Sequence, residues 1–183
     1  MTECAFWRRL DRPGHDAARL RWTASGWRLE GAAVFMHDNG PASLIYTVDM
    51  DTGWKTLRAH VRGFLASDSV NQLIRRTSEG WFLNGSKAEG LNHLVDVDFG
   101  FTPATNLQQL RRVDLSPGKA TELPVAWLDA GASTLIELPQ HYERLDERTY
   151  RYRARSVGYE ATLTIASNGF VALYPDLWEM YGL

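Results

Sequence analysis

The sequence lacks three features that would place it at once in a broad class of proteins. A single cysteine, Cys4, excludes an internal disulfide and indicates a reducing compartment. The longest stretch without an acidic or basic side chain, Ala161–Pro175, has 15 residues, fewer than the roughly 20 apolar residues of a membrane-spanning helix. The first ten residues contain no apolar run of the kind found in signal peptides. We therefore expect a cytoplasmic protein without an integral membrane segment.

An excess of charge of one sign is also missing. The 183 residues include 20 Lys and Arg and 22 Asp and Glu, which gives a formal net charge of −2. Proteins that hold nucleic acid through its phosphates carry a clear excess of basic side chains, so we expect no nucleic-acid partner. Hydrophobic residues make up 44% and charged residues 23%, as in ordinary globular chains. The length predicts a single domain over residues 1–183.

Local signatures of catalysis and metal binding are absent from the sequence. There is no Gly-x-Ser-x-Gly elbow, no phosphate-binding glycine loop and no Gly-x-Gly-x-x-Gly motif. The five histidines lie more than twenty residues apart, so none pairs with another at the spacing of a local metal site. We expect no metal, no cofactor and no enzymatic activity.

Turn signals and alternating polarity dominate the chain. Leu44, Tyr46 and Val48 alternate with polar residues, and such a period of two predicts half-buried strands. Ser167-Asn-Gly between two apolar runs predicts a hairpin turn. Helix signals are few, one over Ala104–Arg112 and a last turn around Asp176–Met180.

The number of short strands predicts the shape of the sheet. A sheet of ten or more strands curls, splits or closes instead of staying flat and open. We therefore expect a mainly β fold, with a strongly curved antiparallel sheet that forms a β-roll or half-barrel and with few short helices. The concave face of such a sheet is a place where small apolar ligands bind.

Two aspartates, Asp96 and Asp98, form the most unusual local cluster. At two residues' rise along a strand they would lie about 6.7 Å apart on one face, a spacing that permits acid–base work on a glycosidic bond. Nothing nearby gives the two carboxyls different pKa values, as catalysis requires. The alternative is that they accept hydrogen bonds that fix the following turn or hold a ligand, and the sequence favours this alternative.

Two basic stripes follow from the same period of two. Trp54, Arg58 and His60 share one face. Arg151 and Arg153 share another. Such stripes are ordinarily solvated strand faces, but arginines beside aromatic rings can also hold the polar head group of a lipid.

The run from Asp96 to Arg112 resembles a family signature. It reads DVDFGFTPATNLQQLRR and is similar to the D-V-D-L-x-x-T-P-x-T-N-x-x-P-I-R-R-L motif of the bacterial family known as "putative glycolipid-binding". Weaker matches continue from about Trp22 to Tyr174. The resemblance implies a spiral β-roll, similar in outline to the half-barrels of bacterial lipoprotein carriers, and the binding of glycolipid-like molecules.

The residues and the resemblance together predict non-catalytic binding of a glycolipid or a similar amphiphile in the concave face. Acyl chains would lie in the concavity and a polar rim would meet the head group, with the indoles of Trp54 and Trp81 nearest the sugar. The predicted ligand-binding residues are Tyr46, Trp54, Arg58, Trp81, Asp96, Asp98, Thr102, Asn106, Arg111 and Arg112.

Two alternatives stay open at this stage. One is a hydrolase or isomerase that acts on a sugar-containing substrate with Asp96 or Asp98 as general base. The other is a protein-interaction module whose tryptophans all lie in the core.

Overall fold

A computed structural model describes residues 2–182, and most of them lie in β-strands. The first eight strands are β1 (Thr2–Arg9), β2 (Gly14–Thr23), β3 (Gly26–His37), β4 (Gly40–Met50), β5 (Thr56–Leu65), β6 (Asp68–Thr77), β7 (Gly80–Leu83) and β8 (Ser86–Ala88). The later elements are β9 (Val97–Phe99), α1 (Asn106–Val113), β10 (Ala120–Glu122), β11 (Val125–Leu128), β12 (Ile136–Leu138), β13 (His141–Arg144), β14 (Thr149–Ala154), a 3₁₀ turn (Arg155–Val157), β15 (Tyr159–Ile165), β16 (Val171–Tyr174) and β17 (Trp178–Met180). Strands make up 58% and helix 6%, which confirms the mainly β fold.

Fourteen of the strands form one large antiparallel sheet. Their order is β10-β13-β14-β15-β16-β17-β1-β2-β3-β4-β5-β6-β7-β8. Most neighbours follow one another in the chain, and the pairing of β17 with β1 brings the two ends of the chain together in mid-sheet. The sheet is curved but not closed, which confirms the predicted half-barrel or roll.

The remaining strands and the helix lie inside this curve. β9, β11 and β12 make a three-stranded sheet in which β9 and β11 are parallel. We call these strands, α1 and the turn at residues 100–105 the inner layer. Tyr46 of β4 packs against Phe99 and Phe101, with ring centroids 6.1 and 6.0 Å apart. The inner layer therefore covers much of the concave face.

The alternation in the long strands explains which face is concave. In β4, Leu44, Tyr46 and Val48 are all buried, whereas Ile45 between them is exposed. In β5, Gly63 allows the backbone to approach β4 closely, because a Cβ at that position would lie only 1.9 Å from the Ser43 carbonyl oxygen. The alternation in β4 shows that Leu44, Tyr46 and Val48 point inward, towards the inner layer.

The helix predictions have mixed outcomes. α1 matches the expected helix closely and ends at Asp114, whose φ of 44° is left-handed. It has eight residues, and no helix of the described chain is long and apolar enough to cross a membrane. The helical turn predicted around Asp176–Met180 is wrong, because residues Trp178–Met180 form β17. This strand lies between β16 and β1 in the sheet, and its Trp178 pairs with Tyr174 on one side and with Arg9 on the other. The hairpin predicted at Ser167-Asn-Gly is confirmed, since it joins β15 to β16.

Candidate functional site

A pocket remains on the concave face between the inner layer and strands β14–β17. Its volume is about 480 Å³, inside the range of roughly 300–1,000 Å³ that is typical of small-molecule sites. The aromatic residues that line it are Phe99, Trp127, Tyr152, Tyr159, Tyr174 and Trp178. The polar residues from the inner layer are Asp98, Thr102 and Asn106. The pocket thus joins a large aromatic surface to a small set of hydrogen-bonding groups.

Three tyrosines on the large sheet form one side of the pocket. The ring of Tyr152 lies 6.0 Å from that of Tyr159 and 5.6 Å from that of Tyr174, and the last two rings are 5.1 Å apart. The tilted and edge-on arrangements are those that aromatic pairs prefer. Burial raises the pKa of all three phenols, so their hydroxyls stay protonated at neutral pH.

Asp98 contributes the buried carboxylate of the pocket. It accepts hydrogen bonds from the hydroxyl of Thr105 and, at 2.7 Å, from the amide nitrogen of Gln140. Burial raises the pKa of Asp98 to about 6, although both hydrogen bonds lower it. Within the described residues no basic side chain forms an ion pair with it, so the charge of the ionised carboxylate is stabilised by hydrogen bonds alone.

Asn106 stands at the start of α1 and also lines the pocket. Its side-chain nitrogen donates to the Tyr142 hydroxyl at 2.7 Å, and that hydroxyl donates to Gln109 at 3.1 Å. The ring of Tyr142 lies 4.8 Å from that of Tyr152. This chain of hydrogen bonds and ring contacts ties the inner layer to β14 behind the pocket.

Thr102 connects the pocket to a second buried carboxylate. Its hydroxyl donates to Asp16 of β2, and the Tyr46 hydroxyl donates to the same carboxylate at 2.9 Å. Burial raises the pKa of Asp16 to about 7 despite these two hydrogen bonds. Tyr46 reaches Asp16 across β3 because Gly31 lies between them, and a Cβ there would come within 2.3 Å of the Tyr46 hydroxyl oxygen.

Asp96 and Arg112 of the predicted set lie outside the pocket and bind one another. The Arg112 guanidinium donates to both Asp96 carboxylate oxygens, at 2.6–3.1 Å. Burial raises the pKa of Asp96, and Arg112 opposes this shift. Asp96 and Asp98 therefore take different partners, and only Asp98 lines the pocket.

The other predicted site residues are dispersed. Tyr46 is fully buried behind Thr102, and Trp81 is fully buried with its indole N–H donating to the Leu94 carbonyl. Trp54 stacks on Trp27 at 4.6 Å and lines a separate groove, of about 360 Å³, together with Arg111. Arg58 lies on the convex face of β5, where it donates to Asp49. Of the predicted ligand-binding residues, the structure brings Asp98, Thr102 and Asn106 into one cavity.

Several residues of the pocket were not predicted. Trp127, Tyr152, Tyr159 and Tyr174 lie within the range of the family resemblance without being singled out by it, and Trp178 lies in the segment that was wrongly predicted to be a helical turn. Asp16 could have been found, since it occupies an inward position of β2 in line with Ala18 and is buried as that alternation requires. Within residues 2–182 no three His, Cys, Asp or Glu side chains cluster as metal ligands would.

Comparisons with known proteins bear on fold and family. A crystal structure of a DUF1089 family protein from Pseudomonas aeruginosa is similar, with a TM-score of 0.78, 23% sequence identity, and coverage of 90% of this chain and 91% of that one. At this identity the likeness shows the fold alone. No protein of curated function matches the chain. A family model described as "Putative glycolipid-binding" matches residues 4–180, and the chain therefore belongs to that family.

Proposed function

We propose that this protein binds, without catalysis, a glycolipid or a similar amphiphile in the concave-face pocket. The observation that carries the proposal is the combination of six aromatic side chains with five polar ones around one cavity, the polar ones being Arg12, Asp98, Thr102, Asn106 and Asp129. A sugar offers an apolar ring face that packs on aromatic rings and hydroxyl groups that need hydrogen-bond partners. The family description supports the same class of ligand.

The head group would lie against Asp98 and Asn106. An ionised carboxylate has about four acceptor positions, and Asp98 uses two of them for Thr105 and Gln140. Asn106 commits its amide nitrogen to Tyr142, while its amide oxygen has no donor partner among the described residues. Both groups are therefore able to accept hydrogen bonds from a bound sugar.

The acyl chain would leave the pocket along its apolar margin. Val157 and Leu177 line this margin, and Val157 is 50% exposed. Each buried CH₂ contributes about 0.8 kcal/mol, which offsets part of the cost of association. We therefore expect affinity to rise with chain length and to depend more weakly on the identity of the head group.

Calorimetric titration with alkyl glucosides of increasing chain length, kept below their micelle concentrations, tests the proposal. Affinity should increase by up to about fourfold per added CH₂. Trp127→Ala should weaken binding about tenfold, because it removes an aromatic contact. Trp22→Ala is the matched control, since Trp22 is 50% exposed and lies outside the pocket. The absence of binding for every glucoside, or an equal loss in both variants, would contradict the proposal.

Native mass spectrometry of the freshly purified protein examines the ligand class directly. A co-purified mass that corresponds to an amphiphile with a sugar-containing head group is the expected result. We further propose that binding needs no metal or cofactor and takes place in the cytoplasm, the compartment that the single cysteine favours.

A hydrolase or isomerase acting on a sugar is the second candidate, and one observation favours it. Asp98 lines a pocket and has a pKa raised to about 6, which suits a general acid or base. Asp96 is the weaker choice for this role because it is held by Arg112 outside the pocket. Turnover of aryl glycosides by the wild-type protein, abolished in Asp98→Asn, would replace the binding proposal with the enzymatic one.

A further inference from the structure

The convex face of β2–β6 exposes an unusual number of large apolar side chains. Their exposed fractions lie between 44% and 56%, for Val34, Met36, Ile45, Phe64 and Leu73. Val34 and Phe64 lie on either side of Ser43 on the two neighbouring strands, and Met36 and Ile45 lie on the same face two residues along from Val34 and Ser43. Contiguous exposed apolar patches on soluble proteins mark sites of interaction.

The same face is rich in arginine. The strand pairing places six arginines and two carboxylates on it, namely Arg19, Arg21, Arg28, Arg58, Arg62, Arg75, Glu30 and Asp49. The whole chain has a net charge of −2. The convex face is therefore strongly positive on a protein that is slightly negative overall.

Two of these arginines are not neutralised by the protein. Glu30 pairs with Arg19 and Arg21, and Asp49 pairs with Arg28 and Arg58. Arg62 and Arg75 make no ion pair or side-chain hydrogen bond with any other residue of the range 2–182.

The strand register also opposes two like charges. Arg75 of β6 lies directly across from Arg58 of β5, an arrangement that costs stability in an isolated sheet. An anionic surface in contact with this face would offset that repulsion.

We propose that the convex face of β2–β6 docks on the surface of a membrane that contains anionic lipids. Arginine side chains bind lipid phosphates well, and the apolar side chains between them can enter the boundary between head groups and acyl chains, as they do in interfacial amphipathic elements. A second copy of the chain is a poorer partner, because a two-fold contact would bring two positive faces together. Nucleic acid is also a poorer partner, because its phosphate backbone would contact the arginines but would not bury the exposed side chains of Ile45 and Phe64.

Docking in this way places the rim of the concave-face pocket near the bilayer. The backbone N–H of Met36, at the apolar end of the face, donates to the Pro13 carbonyl at 2.8 Å. The neighbouring Arg12 lines the pocket and pairs with Asp38 of the β3–β4 turn at 3.3 Å. The docking face and the pocket rim thus meet at the same turns, although the proposal does not depend on what the pocket binds.

Vesicle flotation with the full chain tests the proposal. The protein should bind vesicles of phosphatidylcholine with about 30% phosphatidylglycerol, bind pure phosphatidylcholine far more weakly, and release at high salt. The double variant Arg62→Gln/Arg75→Gln should lose about 30-fold in partitioning, since each basic side chain contributes appreciably near an anionic surface. Arg148→Gln/Arg155→Gln makes the same change in net charge outside this face and should partition as the wild type does.

The apolar contribution is tested separately. Ile45→Thr/Phe64→Thr should weaken partitioning while keeping the strand-forming tendency of both positions, and Ile136→Thr, also an exposed position, is the control. Circular dichroism checks that each variant is folded.

Several results would overturn the proposal. They are a failure to bind anionic vesicles, an equal loss in the two arginine variants, and a dimer in analytical ultracentrifugation that Ile45→Thr/Phe64→Thr abolishes. Trp127→Ala should still dock, which separates this proposal from the ligand-binding one. A loss of docking in that variant would contradict the independence of the two surfaces.

Discussion

Asp96 and Asp98 are two residues apart in the same motif, yet their surroundings differ. Asp96 is enclosed and receives a two-pronged contact from Arg112. Asp98 is held by the neutral groups of Thr105 and Gln140 and borders a cavity. The difference teaches that a carboxylate paired with an internal arginine stabilises the fold. A carboxylate that is held only by neutral donors keeps the capacity to bind a ligand as well.

Removal of the Asp96 carboxylate should give the largest effect on stability. Asp96→Ala leaves the Arg112 guanidinium, which is only 22% exposed, without its partner, and such a loss costs about 3 kcal/mol. Chemical denaturation measures this change. Asp38→Ala is the control, since Asp38 is 85% exposed in its pair with Arg12, and it should change the free energy of unfolding by less than about 0.5 kcal/mol. If Asp96→Ala and Asp38→Ala lowered the free energy of unfolding equally, the burial of the Asp96–Arg112 pair would not matter for stability.

Removal of the Asp98 carboxylate should cost less stability. Asp98→Ala leaves Thr105 and Gln140 without an acceptor in a buried place, which costs about 1–3 kcal/mol. The same variant should lose affinity for alkyl glucosides, whereas Asp96→Ala, where folded, should retain it. An unchanged denaturation midpoint and slope in Asp98→Ala would show that the Asp98 carboxylate does not stabilise the fold.

The third buried carboxylate, Asp16, extends the comparison to pH. Its pKa is raised to about 7 in the folded protein from 3.8, so its contribution to stability is complete below pH 4 and is lost as the pH rises through 7. The free energy of unfolding should therefore fall between about pH 4 and pH 7 and level off above that range. Asp16→Asn should make that fall less steep and leave the part that comes from Asp98, whose pKa is also raised, to about 6. An unchanged slope in the variant would show that Asp16 does not contribute.

Arg111 should give the smallest effect of the set. Unlike its neighbour Arg112, it pairs with Glu3 at 3.4 Å on a partly exposed surface, and such pairs contribute little. Arg111→Ala should change the free energy of unfolding by less than about 1 kcal/mol, a value that denaturation can compare with that of Asp96→Ala. A loss as large as that of Asp96→Ala would show that both arginines are structural.

The sequence predicted the sheet and one helix well because those features depend on local rules. Period-two alternation in β4 and the turn at Ser167-Asn-Gly act within a few residues. β17 was mistaken for a helical turn because its strand state depends on a gap between β16 and β1 that no local pattern reveals.

The site was predicted only in part, for a similar reason. Asp98, Thr102 and Asn106 lie in one motif and were named together. Tyr159 and Trp178 come from distant strands, and the curvature of the sheet brings them to the pocket. Trp81 was expected near a ligand because composition does not distinguish a core indole from a binding one.

The central claim is that a sugar head group lies against Asp98 in the aromatic pocket. A crystal structure of the protein with a long-chain alkyl glucoside tests it most directly. The account predicts density for the sugar within hydrogen-bonding distance of Asp98 and Asn106, with its ring between Trp127 and Tyr159. Density instead in the groove beside Trp54, or an empty pocket at a saturating ligand concentration, would contradict it.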